Sequence, residues 1–114
     1  MPFIDTKVTK KISKEDEKRL TKALGEAIEL IPGKSEEWLM LNFTDGCRMA
    51  FRGSSESDMA MVEVKIFGRA SSSAYDALTA RITEILYEIL AIPADKIYVK
   101  YEEVSTWGYA GINF

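Results

Sequence analysis

The chain has 114 residues, a formal net charge of −3 and 46% hydrophobic residues. This length and composition predict one soluble domain with a modest core, and the small negative charge argues against a nucleic-acid or anionic-membrane surface. With no histidine and one cysteine, the sequence excludes histidine-assisted nucleophiles, histidine metal sites and an intrachain disulfide. We expect no metal and no other cofactor.

The chain starts with Met1-Pro2, and the residues from Pro2 to Val8 alternate as in a half-buried strand. If Met1 is removed, this strand begins with a cyclic secondary amine that can take up and release a proton. Burial and nearby cations both lower the pKa of an amine towards neutrality, where a general base works best. Taken alone, however, a proline after methionine is common in unrelated proteins and usually has no catalytic role.

The segment after this strand predicts a helix. Ser13 is an N-cap candidate, and the acidic residues behind it favour the positive end of the helix dipole. The apolar stripe of the helix consists of Leu20, Ala23, Leu24, Ala27, Ile28 and Ile31. Pro32-Gly33 ends this helix, and the run from Trp38 to Phe43 predicts the next strand.

The second half repeats the same order of elements: a strand from about Met59 to Phe67, a serine-rich break, a helix, and a strand from Lys96 to Tyr101. The helix stripe is Tyr75, Leu78, Ile82, Ile85, Leu86 and Ile89. We therefore predict a single domain, residues 1–114, with an α+β (α/β) fold made of a duplicated βαβ unit, about 1–56 and 57–114. Because βαβ crossovers make their strands parallel, two units give a four-stranded sheet with both helices on one face.

The strands carry many apolar residues: Trp38, Met40, Phe43, Val62, Val64 and Ile66. They exceed what one sheet face can bury, so we expect a symmetric partner to cover the face that has no helices.

Several short fragments occur in a characteristic order and spacing along nearly the whole chain. They are Met1-Pro2, Gly33-Lys34, Met49-Ala50-Phe51, Gly53-Ser54-Ser55-Glu56, Ile92-Pro93-Ala94-Asp95-Lys96-Ile97-Tyr98, Trp107-Gly108-Tyr109 and Phe114. In this arrangement the chain resembles the macrophage migration inhibitory factor and D-dopachrome tautomerase family of the tautomerase superfamily. The resemblance implies a homotrimer in which three sheets surround a channel and the pockets lie between subunits.

The resemblance also implies a cofactor-independent tautomerase that moves a proton between carbon and oxygen of an aromatic keto acid such as phenylpyruvate. By position, Pro2 is the general base, and Lys34 binds substrate oxygen and lowers the pKa of the amine. The further site residues are a backbone contact at Phe67 or Ile66, Tyr98 and Lys100 from the neighbouring subunit, and aromatic walls from Phe3, Trp38, Tyr109 and Phe114.

The sequence pattern itself supports part of this set of site residues. A strand has a period of two, so Tyr98 and Lys100 share one face. The alternatives stay open: a lysine after Pro-Gly is usually a solvated turn residue, and Trp38 is almost as well explained by core packing.

Two other functions remain possible. Related decarboxylases and dehalogenases use the same proline chemistry but need extra acids or paired arginines, and Arg69 is the only arginine near the inferred site. The alternative from a different class is a non-catalytic binding or signalling protein with a vestigial pocket. The start of the chain shows no signal-peptide pattern, which predicts cytoplasmic localisation with non-classical release as an option, and no membrane or nucleic-acid partner.

Overall fold

The computed structural model describes residues 1–114 and contains a four-stranded mixed sheet with two helices. The strands are β1 (Pro2–Val8), β2 (Met40–Thr44), β3 (Ala60–Phe67) and β4 (Ile97–Val104), and the helices are α1 (Lys14–Ala27) and α2 (Ser72–Leu90). The strand order is β2-β1-β3-β4. Strands β1 and β2 are parallel, as are β3 and β4, while β1 and β3 are antiparallel. The predicted pair of βαβ units is confirmed.

Both helices begin at a serine N-cap. The side-chain oxygen of Ser13 accepts a hydrogen bond from the backbone N–H of Asp16 at 3.1 Å, and Ser71 accepts one from Ala74 at 3.2 Å. Each bond satisfies a backbone donor that has no partner within its helix. After α1, Ile28–Leu30 tighten into a 3₁₀ turn. The first helix is therefore shorter than its apolar stripe predicts.

The core lies between the sheet and the two helices. Alternate residues of β1 and β3 point into it, and the stripes of α1 and α2 pack against them. Its largest fully buried side chains are Ile4, Val8, Leu20, Leu24, Ile28, Ile31, Ile66, Leu78, Ile82, Ile85, Leu86 and Ile92.

The face of the sheet without helices is mainly charged, and of the apolar strand residues predicted to crowd it only the exposed Met40 points there. Val62, Val64 and Ile66 all point towards the helices because they alternate along one strand, and Phe43 also packs against the core. The helix-free side instead carries three lysines and three acids in a network of ion pairs. We call this the charged face: Asp5, Lys7, Glu63, Lys65, Lys100 and Glu102.

Strands β2 and β4 differ from the sequence prediction, and the structure adds a C-terminal hairpin. Strand β2 begins at Met40, and Glu36–Trp38 form a 3₁₀ turn instead, in which the N–H of Leu39 donates to the carbonyl of Glu36 at 3.2 Å. Strand β4 continues to Val104. A C-terminal hairpin, β5 (Gly108–Tyr109) and β6 (Ile112–Asn113), follows. Neither helix has the length and apolar character needed to cross a membrane.

Candidate active site

The N-terminal end of β1 lies inside the sheet, between β2 and β3. Pro2 is buried and pairs with Ile66 across the antiparallel ladder, while Phe3 pairs with Met40 on the other side. The N–H of Phe67 donates to the carbonyl of Met1 at 3.0 Å. The first residues are therefore fixed by hydrogen bonds and do not form a loose tail.

Lys34 reaches this end of β1 from the turn that follows α1. The turn closes with the N–H of Lys34 donating to the carbonyl of Ile31 at 3.1 Å, and Gly33 adopts a φ of +82°, which favours glycine. The Lys34 ammonium donates to the carbonyl of Phe67 at 2.9 Å. The cation is thus anchored beside the N-terminus, and it is not a solvated turn residue.

The Lys34 ammonium affects the pKa of the N-terminal amino group. Burial, and then the charge of Lys34 and a hydrogen bond with it, lower the pKa of the Met1 amine below its ordinary value. The described chain begins with Met1, so the nitrogen of Pro2 is an amide here. Nevertheless, the structure shows that an amine in this part of the fold lies in surroundings that favour its neutral form.

Hydrogen bonds distinguish the two candidates for the backbone contact. The side chain of Ile66 is 1% exposed and belongs to the core. Phe67 presents both of its backbone groups to the N-terminus: the carbonyl accepts from Lys34, and the N–H donates to Met1. Of the two candidates for this backbone contact, Phe67 is therefore the one that hydrogen-bonds to Lys34 and Met1.

A groove of about 750 Å³ opens next to Met1 and Pro2. We call it the aromatic groove, and its lining residues are Met1, Pro2, Phe3, Glu37, Trp38, Leu39, Met40, Leu41, Trp107, Gly108 and Tyr109. Trp38 and Tyr109 meet edge to face, with ring centroids 5.2 Å apart. Trp38 is 45% exposed, so the structure places it in the wall of this groove and not in the core.

Sequence reasoning missed part of this lining. It did not assign Trp107, Glu37 or Leu39 to the site, although Trp107 directly precedes the Gly108-Tyr109 pair. The groove depends on the turn at Glu36–Trp38, which packs on α1 where Gly25 has no side chain. A Cβ at Gly25 would lie 2.5 Å from a carboxylate oxygen of Glu36, so the Glu36 side chain would have to move.

Phe114 lies beside Phe67 and does not line the aromatic groove. The two ring centroids are 6.2 Å apart, and the N–H of Phe114 donates to the carbonyl of Trp107 at 2.8 Å. The C-terminal hairpin thus holds this last ring next to the backbone that contacts Lys34.

Tyr98 and Lys100 lie on β4, which β3 separates from β1, so they are not brought to Pro2 within one chain. They share one face, as predicted. Lys100 is 3.4 Å from Glu63 and 3.7 Å from Glu102 on the charged face. Although burial of the carboxylate opposes it, the ammonium groups of Lys65 and Lys100 lower the pKa of Glu63. The role of Tyr98 and Lys100 in a neighbouring subunit's pocket stays a prediction.

No group of three or more histidine, cysteine, aspartate or glutamate side chains is arranged to hold a metal ion. The chemistry that the site offers comes from an amine, an ammonium, backbone groups and aromatic walls.

The comparison with known families identifies the chain. A family model described as macrophage migration inhibitory factor (MIF) matches residues 1–113. The chain belongs to the MIF family. It is similar to MIF2 of Leishmania major, with 32% identity and a TM-score of 0.93, over 100% of this chain and 97% of that one. Among curated proteins there is no significant match.

Two further solved structures show the same fold. The homologue from Prochlorococcus marinus is 28% identical, with a TM-score of 0.88 over 98% of both chains. Pt0534, solved after inactivation by 2-oxo-3-pentynoate, is 20% identical, with a TM-score of 0.80 over 96% of this chain and 93% of that one.

Proposed function

We propose that the protein is a cofactor-independent keto-enol tautomerase, with Pro2 as general base once Met1 has been removed and an aromatic keto acid such as phenylpyruvate as substrate. The observation that carries this proposal is the position of Lys34, hydrogen-bonded at 2.9 Å to the Phe67 carbonyl beside the buried start of β1. The aromatic groove opens from the same place.

Removal of Met1 changes the site in three ways. It converts the buried Pro2 nitrogen from an amide to a secondary amine, and it frees the N–H of Phe67, which otherwise donates to the Met1 carbonyl at 3.0 Å. Met1 also lines the aromatic groove, so its loss leaves more space there beside Pro2. One cleavage thereby supplies a base, a backbone donor and space for a ligand.

These groups suffice for the reaction. Lys34 holds the substrate carboxylate, and the aromatic walls hold the ring. The Pro2 nitrogen takes a proton from the carbon next to the ketone, the C–H electrons form the C=C bond, and the carbonyl electrons move onto oxygen. The Phe67 N–H and the Lys34 charge stabilise that developing oxyanion. The proton is then delivered to the oxygen, so the net change is the transfer of one proton.

The inactivation of Pt0534 by 2-oxo-3-pentynoate supports a keto-acid site in this fold. The reagent is a short 2-keto acid with an alkyne conjugated to its ketone. A neutral amine adds to such an alkyne through its nitrogen, whereas a protonated amine or an amide does not. The reagent therefore reports on the protonation state proposed for Pro2.

The test uses protein whose N-terminus has been read by mass spectrometry. With Pro2 at the N-terminus, we expect turnover of phenylpyruvate, loss of activity with 2-oxo-3-pentynoate, and the mass of one reagent on the peptide that begins with Pro2. The free thiol of Cys47 is a competing nucleophile, so Cys47→Ser is the control variant. Processed protein with neither turnover nor label would refute the tautomerase.

A binding protein with a vestigial pocket is the second candidate. It is favoured if Met1 is retained, because Met1 then occupies part of the groove and the Pro2 nitrogen stays an amide.

We further propose that three copies assemble so that Tyr98 and Lys100 of one subunit reach the site of its neighbour. Both outer strands, β2 and β4, have an open edge, and Tyr98 is 60% exposed. The charged face would line the centre of the ring, where its paired charges can stay hydrated. We expect light scattering at micromolar concentration to give the mass of three chains, and an active monomer would contradict the shared pocket.

A further inference from the structure

Glu37 is the one charged side chain in the lining of the aromatic groove. Its carboxylate is exposed and takes part in no hydrogen bond or ion pair of the structure. Most of the other lining residues are apolar, so the groove offers a ligand a single anionic group.

An anion among apolar walls affects which ligands fit and how they lie. A keto acid brings its own carboxylate, which Glu37 repels and which the Lys34 ammonium attracts at the N-terminal end of the site. The substrate carboxylate is therefore directed to Lys34, and the remainder of the molecule lies in the part of the groove that contains Glu37.

We propose that Glu37 is a specificity-determining residue that selects aromatic keto acids with a cationic or hydrogen-donating ring substituent and disfavours those with a second anionic group. This inference rests on the proposed function, and it narrows the substrate class of the same site. A hydrogen-bond donor on the ring can bind the free Glu37 carboxylate, whereas a second carboxylate on the ligand is repelled by it.

The neighbouring residue provides a matched control. Glu36 belongs to the same 3₁₀ turn but packs against α1 at Gly25 and does not line the groove. Glu36→Gln and Glu37→Gln remove the same charge from adjacent positions. A general change in net charge affects both variants equally, but a contact with the ligand affects only Glu37→Gln.

The first measurement compares kcat/KM for 4-(aminomethyl)phenylpyruvate and 4-carboxyphenylpyruvate. We expect the wild type and Glu36→Gln to have a higher kcat/KM for the aminomethyl substrate than for the carboxy substrate. In Glu37→Gln the ratio of these two values should be roughly fivefold lower. The change should lie in KM, because Glu37 would contact the part of the substrate that does not react, equally in the ground and transition states.

The second measurement is independent of turnover. Trp38 and Trp107 both line the groove, so their fluorescence reports the binding of 4-(aminomethyl)phenylacetate and of 1,4-phenylenediacetate. A wild type that does not convert phenylpyruvate would reject the proposed function, and the ratio of these two affinities would still test Glu37. Equal ratios in wild type and Glu37→Gln would overturn the inference, and a ratio that falls only in Glu37→Gln would support it.

Discussion

Insertion of one alanine between Met1 and Pro2 is expected to abolish the turnover of phenylpyruvate. After Met1 is cleaved, the inserted alanine carries the N-terminal amine and the Pro2 nitrogen remains an amide, which cannot accept a proton. General bases contribute about 10²- to 10⁴-fold to rates, so the initial rate of enol-keto conversion should fall by at least about 10²-fold. The decrease is read from the ultraviolet absorbance of the enol.

The structure indicates that this variant will still fold. The inserted alanine takes the place that Met1 occupies, where a carbonyl accepts the 3.0 Å hydrogen bond from the N–H of Phe67. Pro2→Gly is the companion variant: it keeps an amine at the start of β1 without the ring, so activity should be low but measurable. Undiminished turnover in the insertion variant would remove Pro2 from the mechanism.

Much of the fold could be predicted because its signals are local. The serine cap at Ser13, the serine-rich break before the second helix and the helical stripes each depend on neighbouring residues, and the structure confirms the elements that they define. The repeated βαβ unit also predicts which strands are parallel, since each βαβ crossover makes its two strands parallel.

The distribution of apolar residues between the two sheet faces was predicted wrongly because residues were counted without strand parity. Val62, Val64 and Ile66 are two apart and so share one face, which the helices cover. The residues between them, such as Glu63 and Lys65, define the charged face. The proposed trimer thus rests on the open sheet edges and the predicted shared pocket, and not on an uncovered apolar face.

The site was partly predictable. The resemblance placed Pro2 and Lys34 together. The choice between the backbones of Ile66 and Phe67 depends on the hydrogen bonds of Phe67 with Met1 and Lys34, which join residues far apart in the sequence. Glu37 could not be assigned from the sequence, because the run from Trp38 was predicted as a strand and the turn that brings Glu37 to the groove depends on packing against α1.

Replacement of Lys34 by alanine is expected to lower kcat/KM for phenylpyruvate strongly. A hydrogen bond to a charged group contributes about 1.5 to 3 kcal/mol, which corresponds to roughly ten- to 150-fold in kcat/KM. Lys34→Gln removes the charge but keeps a hydrogen-bond donor on the side chain, so it separates loss of charge from loss of the donor. Lys22→Ala, which removes an exposed lysine on α1, should leave the kinetics unchanged.

The pH profile distinguishes a cation that only binds substrate from one that also tunes the base. The Lys34 charge lowers the pKa of the amine beside it, as it does for Met1, so its removal should raise the pKa of the Pro2 amine. A base with a higher pKa stays protonated to a higher pH. The acidic limb of kcat/KM should therefore move upward by roughly one pH unit in both Lys34→Ala and Lys34→Gln. If the limb stays in place while KM rises, Lys34 binds the carboxylate and the low pKa of the amine must come from burial alone.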